Sequence, residues 1–192
     1  MSLLSLFRRA SKTTRVTPAA NQNAAPKKVV TKSRLAGAAG AGLLATLVAF
    51  TGAWEGKENV AYLDTLATKP VWTVCYGETR GVKAGDRHTD AECQAMLAAG
   101  LLEFEQGMRA CLTAPDALPA GVYVAFLDTT WNIGQGAFCG SSMARKANAG
   151  DLEGACRSLR LWNKAGGRVV RGLTNRRVAA EKICLESLKA AA

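Results

Sequence analysis

The chain contains a single histidine, His88, among 192 residues. A Ser–His–Asp or Cys–His nucleophile would depend wholly on that side chain. It lies in the polar run Gly85-Asp86-Arg87-His88 just before a helix cap, and reads as a solvated loop residue. One histidine and six cysteines without a CxxC pair leave no zinc set, so no metal is expected. No Gly-rich loop follows a strand, so no phosphate cradle is expected either, and no cofactor. Negative charge is missing from the first 54 residues, which carry eight of the 25 Lys and Arg: Arg8, Arg9, Lys12, Arg15, Lys27, Lys28, Lys32 and Arg34. The rest of the chain is nearly balanced. The net charge of +10 is therefore mostly N-terminal and reads as a topology signal, with no nucleic-acid partner expected.

Charge of either sign is absent between Arg34 and Glu55, in LAGAAGAGLLATLVAFTGAW. Twenty helical residues cover roughly 30 Å, enough to span a bilayer. Eleven of them are Ala or Gly, which makes the segment a weak anchor. Three regions follow: a basic, disordered cytoplasmic tail over 1–34, a membrane segment over 35–54, and one domain over 55–192. A signal peptide cleaved at Thr51-Gly52-Ala53 is the competing reading. Cleavage there would leave Glu55 almost at the new terminus, so an uncleaved anchor is favoured.

All six cysteines lie in the C-terminal part. An even, widely spaced set in an exported region reads as three disulfides. Six cysteines allow fifteen pairings and the sequence does not choose among them. The set put forward here is Cys75–Cys93, Cys111–Cys139 and Cys156–Cys184.

Short β-like runs, Val60-Ala61-Tyr62-Leu63 and Val71-Trp72-Thr73-Val74-Cys75-Tyr76, predict a small antiparallel sheet. Thr89 with Glu92 forms a capping-box signature, followed by Leu97, Leu101, Phe104 and Met108 at helical spacing. Pro119 suits the first turn of a helix from Ala120 to about Ile133, apolar nearly all round and stopped by Gly134 and Gly136. Ser141 and Asp151 are caps for two shorter helices, and Thr174 for a last one reaching about Leu188. A sheet followed by helices is an α+β domain.

With nucleophile, metal and phosphate chemistry set aside, carboxylates remain. Glu55 follows an apolar helix-forming segment, where desolvation would keep a carboxyl protonated, as a general acid requires. Asp64 lies at a turn between strands, where a carboxylate stays ionised. Two carboxyls in unlike surroundings suit glycoside hydrolysis.

Trp54-Glu55-Gly56, Asp64 and Trp72-Thr73-Val74-Cys75-Tyr76-Gly77 form an ordered set. Further along stand Trp131-Asn132-Ile133-Gly134-Gln135-Gly136, Ala144-Arg145-Lys146-Ala147-Asn148, and Gly172-Leu173-Thr174-Asn175-Arg176-Arg177 with Glu181. On these residues the chain resembles the phage-type lysozymes of glycoside hydrolase family 24, and more narrowly the signal-arrest-release (SAR) endolysins. The resemblance covers residues 35–188. It implies a lysozyme-like fold: a small antiparallel sheet lobe and a mainly helical lobe, preceded by the N-terminal membrane (SAR) helix. It also implies a muramidase that cleaves peptidoglycan between N-acetylmuramic acid and N-acetylglucosamine.

By that resemblance Glu55 is the general acid, Asp64 the base or nucleophile, and Thr73 the residue holding the attacking water. Asn132 lines the saccharide cleft, and Arg177 forms an ion pair orienting Glu55, with Arg176 its rival. Trp131 and Trp162 are read as core packing before sugar stacking. Many relatives carry His after the Gly of the Thr strand; here Glu78 stands there, and its approach to Glu55 would raise the pKa of the pair.

The partners implied are peptidoglycan, the inner membrane of a Gram-negative host before release into the periplasm, and a holin or pinholin, with the enzyme itself a monomer. A tail of eight positive charges would oppose exit from the bilayer. A shorter product starting at Val29 or Val30 is therefore expected for the released form. The competing functional class is a membrane-anchored, non-catalytic peptidoglycan-binding protein.

Overall fold

The computed structural model describes residues 32–65 and 69–191. Residues 1–31 of the expected tail, Val29 and Val30 included, lie outside the described residues. The end of that tail is ordered, against expectation, because a buried carboxylate holds it. Glu105 accepts from the Ser33 hydroxyl and from the backbone N–H groups of Arg34 (2.9 Å) and Leu35 (3.2 Å). The Arg34 guanidinium donates to the Leu118 carbonyl at 2.5 Å and lies 4.9 Å from the centroid of the Tyr123 ring.

Helix α1 follows at Ala38–Gly52. Its fifteen residues rise about 22 Å, short of the twenty-residue span read from the sequence. Among the described residues no helix is long and apolar enough to cross a membrane. Instead α1 packs into the helical lobe, burying Gly40, Leu47 and Thr51. Strands β1 (Glu58–Asp64) and β2 (Val71–Cys75) pair antiparallel, with Tyr62 opposite Thr73 and Asp64 opposite Val71.

Helix α2 (Asp90–Ala110) starts at the expected capping box, Thr89 and Glu92 bonding each other's backbone N–H groups. Helix α3 (Ala120–Ile133) is the central one: ten of its fourteen residues are buried. Pro119 is its N-cap residue, and Gly134 ends it with a φ of 90°, a conformation open to glycine. Helix α4 (Gln135–Cys139) follows directly. Ser141 and Asp151 then cap α5 (Ser142–Asn148) and α6 (Leu152–Ser158) through their side chains.

A second hairpin, β3 (Lys164–Ala165) with β4 (Arg168–Val169), turns at Gly166 and Gly167, where only a chain break was expected. Helix α7 (Arg171–Ala190) begins three residues before Thr174, which sits in its first turn and donates to the Val170 carbonyl, so Thr174 is not its cap. Helices α3 and α7 cross closely at Gly121, where an added Cβ would lie 2.4 Å from the Ile183 carbonyl oxygen. The disulfides are Cys75–Cys93, Cys111–Cys139 and Cys156–Cys184, as put forward. They tie β2 to α2, α2's end to α4, and α6 to α7. The result is a small sheet lobe beside a helical body, the α+β arrangement expected.

Candidate active site

Glu55 stands three residues beyond α1, where the chain leaves the helical lobe for the sheet. Its carboxyl is buried between α3 and α7. Oε1 accepts from Arg176 Nη1 at 2.8 Å and from the indole N–H of Trp131 at 3.2 Å, while Oε2 is buried and has no hydrogen-bond partner among the described residues. Burial pushes the Glu55 carboxyl above its usual range. Arg176 opposes that shift and the Asp128 carboxylate adds to it.

The expected ion pair therefore comes from Arg176, not from Arg177. Successive helix residues differ by about 100° in direction, and only Arg176 faces the Glu55 side. Its guanidinium is also bound edge-on by Asp128, with Nε to Oδ2 at 3.1 Å and Nη2 to Oδ1 at 2.7 Å. Arg177 serves the neighbouring wall. It donates to the Trp162 carbonyl (3.0 Å), the Thr129 hydroxyl (3.3 Å) and the Asn132 side-chain oxygen, and passes 3.6 Å from Asp128. Desolvation pulls the Arg177 guanidinium down to about 10. Side chains of Glu55, Asp128, Arg176 and Arg177 are all fully buried, so two carboxyls and two guanidinium groups share one dry cluster.

Asp128 is the residue that sequence reasoning missed. It lies in the helix read as apolar nearly all round, and that context was the signal. A lone acid on a buried helix face needs a cation beside it. Trp131 was read as packing. It does pack against Phe104, the rings tilted at 5.0 Å between centroids, but its N–H also reaches Glu55.

Asp64 and Thr73 come together on one sheet face. Residues directly opposite share a face, so Asp64, opposite Val71, is the diagonal neighbour of Thr73. Asp64 is half-buried, and its charge helps burial push the neighbouring Tyr62 phenol upward. Thr73 is buried, with its hydroxyl 3.3 Å from the Val71 carbonyl.

Glu78 is paired with Arg80. Its carboxylate is gripped by the Arg80 guanidinium at 2.9 and 3.1 Å and by the backbone N–H groups of Thr79 and Arg80, which bring it down to about 2. Glu78 is not among the groups that shift the Glu55 carboxyl, and Arg80 takes up its charge. Glu78 instead lines a cleft of about 280 Å³ with Tyr76, Arg80, Met96, Phe104 and Trp131. Asn132 is buried with its oxygen on Arg177, so its contacts are with the cluster behind the cleft. Among the described residues no His, Cys, Asp or Glu group is arranged to hold a metal ion.

A buried carboxyl with one bare oxygen, a second carboxylate on a small sheet and an open cleft beside a helical body define a lysozyme-like glycoside hydrolase. The chain belongs to the phage lysozyme family, whose pattern matches residues 52–180. It is 34% identical over 158 residues to the SAR-endolysin of Enterobacteria phage P21, covering 80% of this chain and 94% of that one. It is 38% identical over 157 residues to the SAR-endolysin of Pseudomonas phage phiKMV, covering 79% and 91%.

Among solved structures, a P22 lysozyme variant superposes with a TM-score of 0.65 at 26% identity, over 73% of this chain and 95% of that one. The endolysin of Escherichia coli O157:H7 phage FAHEc1 does so with a TM-score of 0.63 at 27% identity, over 73% and 91%. The chain is thus a lysozyme of the phage endolysin type.

Proposed function

We propose that this lysozyme cleaves the β-1,4 bond between N-acetylmuramic acid and N-acetylglucosamine, with Glu55 as general acid. The observation that carries this reading is the asymmetry of the Glu55 carboxyl. Both donors bind Oε1, so the acidic proton belongs on Oε2, the oxygen without a partner. Burial favours that protonated form over the carboxylate. Glu55 passes that proton to the glycosidic oxygen as the bond to the sugar's anomeric carbon breaks.

Asp64, on the sheet, acts on the opposite face of the sugar. It takes a proton from water in an inverting reaction, or attacks the anomeric carbon in a retaining one. Thr73, its diagonal neighbour, holds the attacking water in the inverting case. Glu55→Gln tests the acid role directly. It should lower hydrolysis of purified peptidoglycan by at least about 10²-fold while leaving sedimentation with the polymer intact. A variant that still clears cell walls would end this mechanism.

The same proposal includes a membrane stage, supported by the uncharged stretch of 35–54 and by the SAR-endolysin names of the relatives. Before release the segment lies in the host inner membrane. On depolarisation by a holin or pinholin it leaves the bilayer and becomes α1 of the periplasmic enzyme. Fractionating expressing cells before and after depolarisation should move both protein and activity from the membrane to the soluble periplasmic fraction. Activity in the soluble fraction beforehand would refute the membrane stage alone.

A further inference from the structure

The geometry points to Asp128 as a positioning residue that, acting through Arg176, keeps Glu55 Oε2 clear of a guanidinium donor and its proton in place. This rests on the reading of Glu55 as general acid and goes beyond it. Arg176 is a fork with two faces to offer. Asp128 occupies the Nε–Nη2 edge with two hydrogen bonds, which leaves only the Nη1 end for Glu55. An end-on guanidinium reaches one carboxylate oxygen. A guanidinium free to turn would present its edge to both oxygens, covering Oε2 and favouring the ionised acid.

Charge acts in the same direction as geometry. The charged groups that bear on Glu55 are Arg176 and Arg177 from α7 and Asp128 from α3, with the Trp131 N–H as a neutral donor; α2, which also packs on this segment, contributes no charge to it. Two guanidinium groups in a dry pocket would strip the proton from a lone carboxyl. Asp128 cancels one of them. A buried arginine needs some counter-ion in any case, so the bare presence of Asp128 does not separate the two roles. What separates them is the direction in which Glu55 titrates when Asp128 loses its charge.

The test is the pH dependence of kcat/KM for Asp128→Asn, measured with the purified protein on soluble peptidoglycan chains. Asn retains the shape and one acceptor for Arg176. The alkaline limb should move down by at least one pH unit, a loss of about tenfold near neutrality that acidification restores, with KM unchanged. In the Arg176→Gln background the same substitution should no longer move the limb. A uniform fall at every pH, or an unmoved limb, would overturn the proposal and leave Asp128 a structural counter-ion.

If Asp128→Asn does not fold, Asp128→Glu serves. It keeps the charge on a longer arm and should hold the limb in place while lowering kcat; a downward shift of a unit would overturn the proposal. An active Glu55→Gln variant would instead sink the acid reading beneath it, so the two failures are distinguishable.

Discussion

Removing the Glu105 carboxylate should undock the start of α1, and the cost follows from its partners. Glu105 is fully buried and accepts four hydrogen bonds, from Ser33 Oγ, Arg34 N, Leu35 N and the Tyr123 hydroxyl. Bonds to a charged acceptor are worth about 1.5–3 kcal/mol each. Four terms reduce the sum. Ser33 and Arg34 lie where water can replace the lost acceptor, and Leu35 N keeps a 3.2 Å contact with Ser33 Oγ. Tyr123 keeps the Arg109 donor at 3.2 Å, and a charge no longer has to be desolvated.

Glu105→Ala should therefore destabilise the protein by about 2–4 kcal/mol. In a chain lacking residues 1–35 the carboxylate loses three of these four donors and keeps Tyr123, and the same substitution should cost about 1 kcal/mol or less. Urea unfolding followed by circular dichroism on all four proteins gives the coupling between Glu105 and the segment, expected near 2 kcal/mol. Equal costs in both backgrounds would refute the view that Glu105 holds residues 33–35.

Three further outcomes are expected. Gly100→Ala would place a Cβ 2.8 and 2.9 Å from two ring atoms of Trp131, forcing the indole off Glu55; kcat should fall about tenfold with a change in tryptophan fluorescence, and unchanged kinetics would show that the indole bond is dispensable. Glu78→Gln should leave the alkaline limb of activity unmoved, because Arg80 and not Glu55 is its partner; a shift of half a pH unit would contradict that pairing. For Glu55, the folded pKa is raised, so between the ordinary value of 4.5 and the raised one the folded chain holds more proton than the unfolded chain, and stability falls as pH rises. Glu55→Gln should thus melt higher than the parent at pH 8, with the gap closing below about pH 4; a lower Tm at pH 8 would reverse the sign argued here.

The elements with local chemical signals were legible in the sequence: the Thr89–Glu92 box, Pro119, and the caps Ser141 and Asp151 were found where they were read. What escaped depends on tertiary partners. Arg176 and Arg177 are adjacent and identical, and only the packing of α7 on α3 decides which one meets Glu55. Asp128 stood out only as a charge among apolar neighbours, and its partner lies 48 residues away. The ordered end of the tail had no local signal at all, since Ser33 and Arg34 are held from α2. The pairing of Glu78 was settled by its nearest cation, two residues on, and not by its position in a family pattern.

Helix α1 is fastened at both ends, by Glu105 before its first turn and by the Glu55 cluster after its last, and along its length it buries only Gly40, Leu47 and Thr51. Leu43, Leu44, Val48 and Phe50 are half-buried against the same core, so it is on the exposed residues of this helix that the folded enzyme places few demands. Substitutions among them should drift widely between related chains as long as both fastenings persist. Under the proposed membrane stage, their Ala- and Gly-rich makeup records selection by the bilayer before docking. On that proposal, the segment's apolarity could be retuned at those positions to set when the enzyme is freed, without touching the chemistry it performs afterwards.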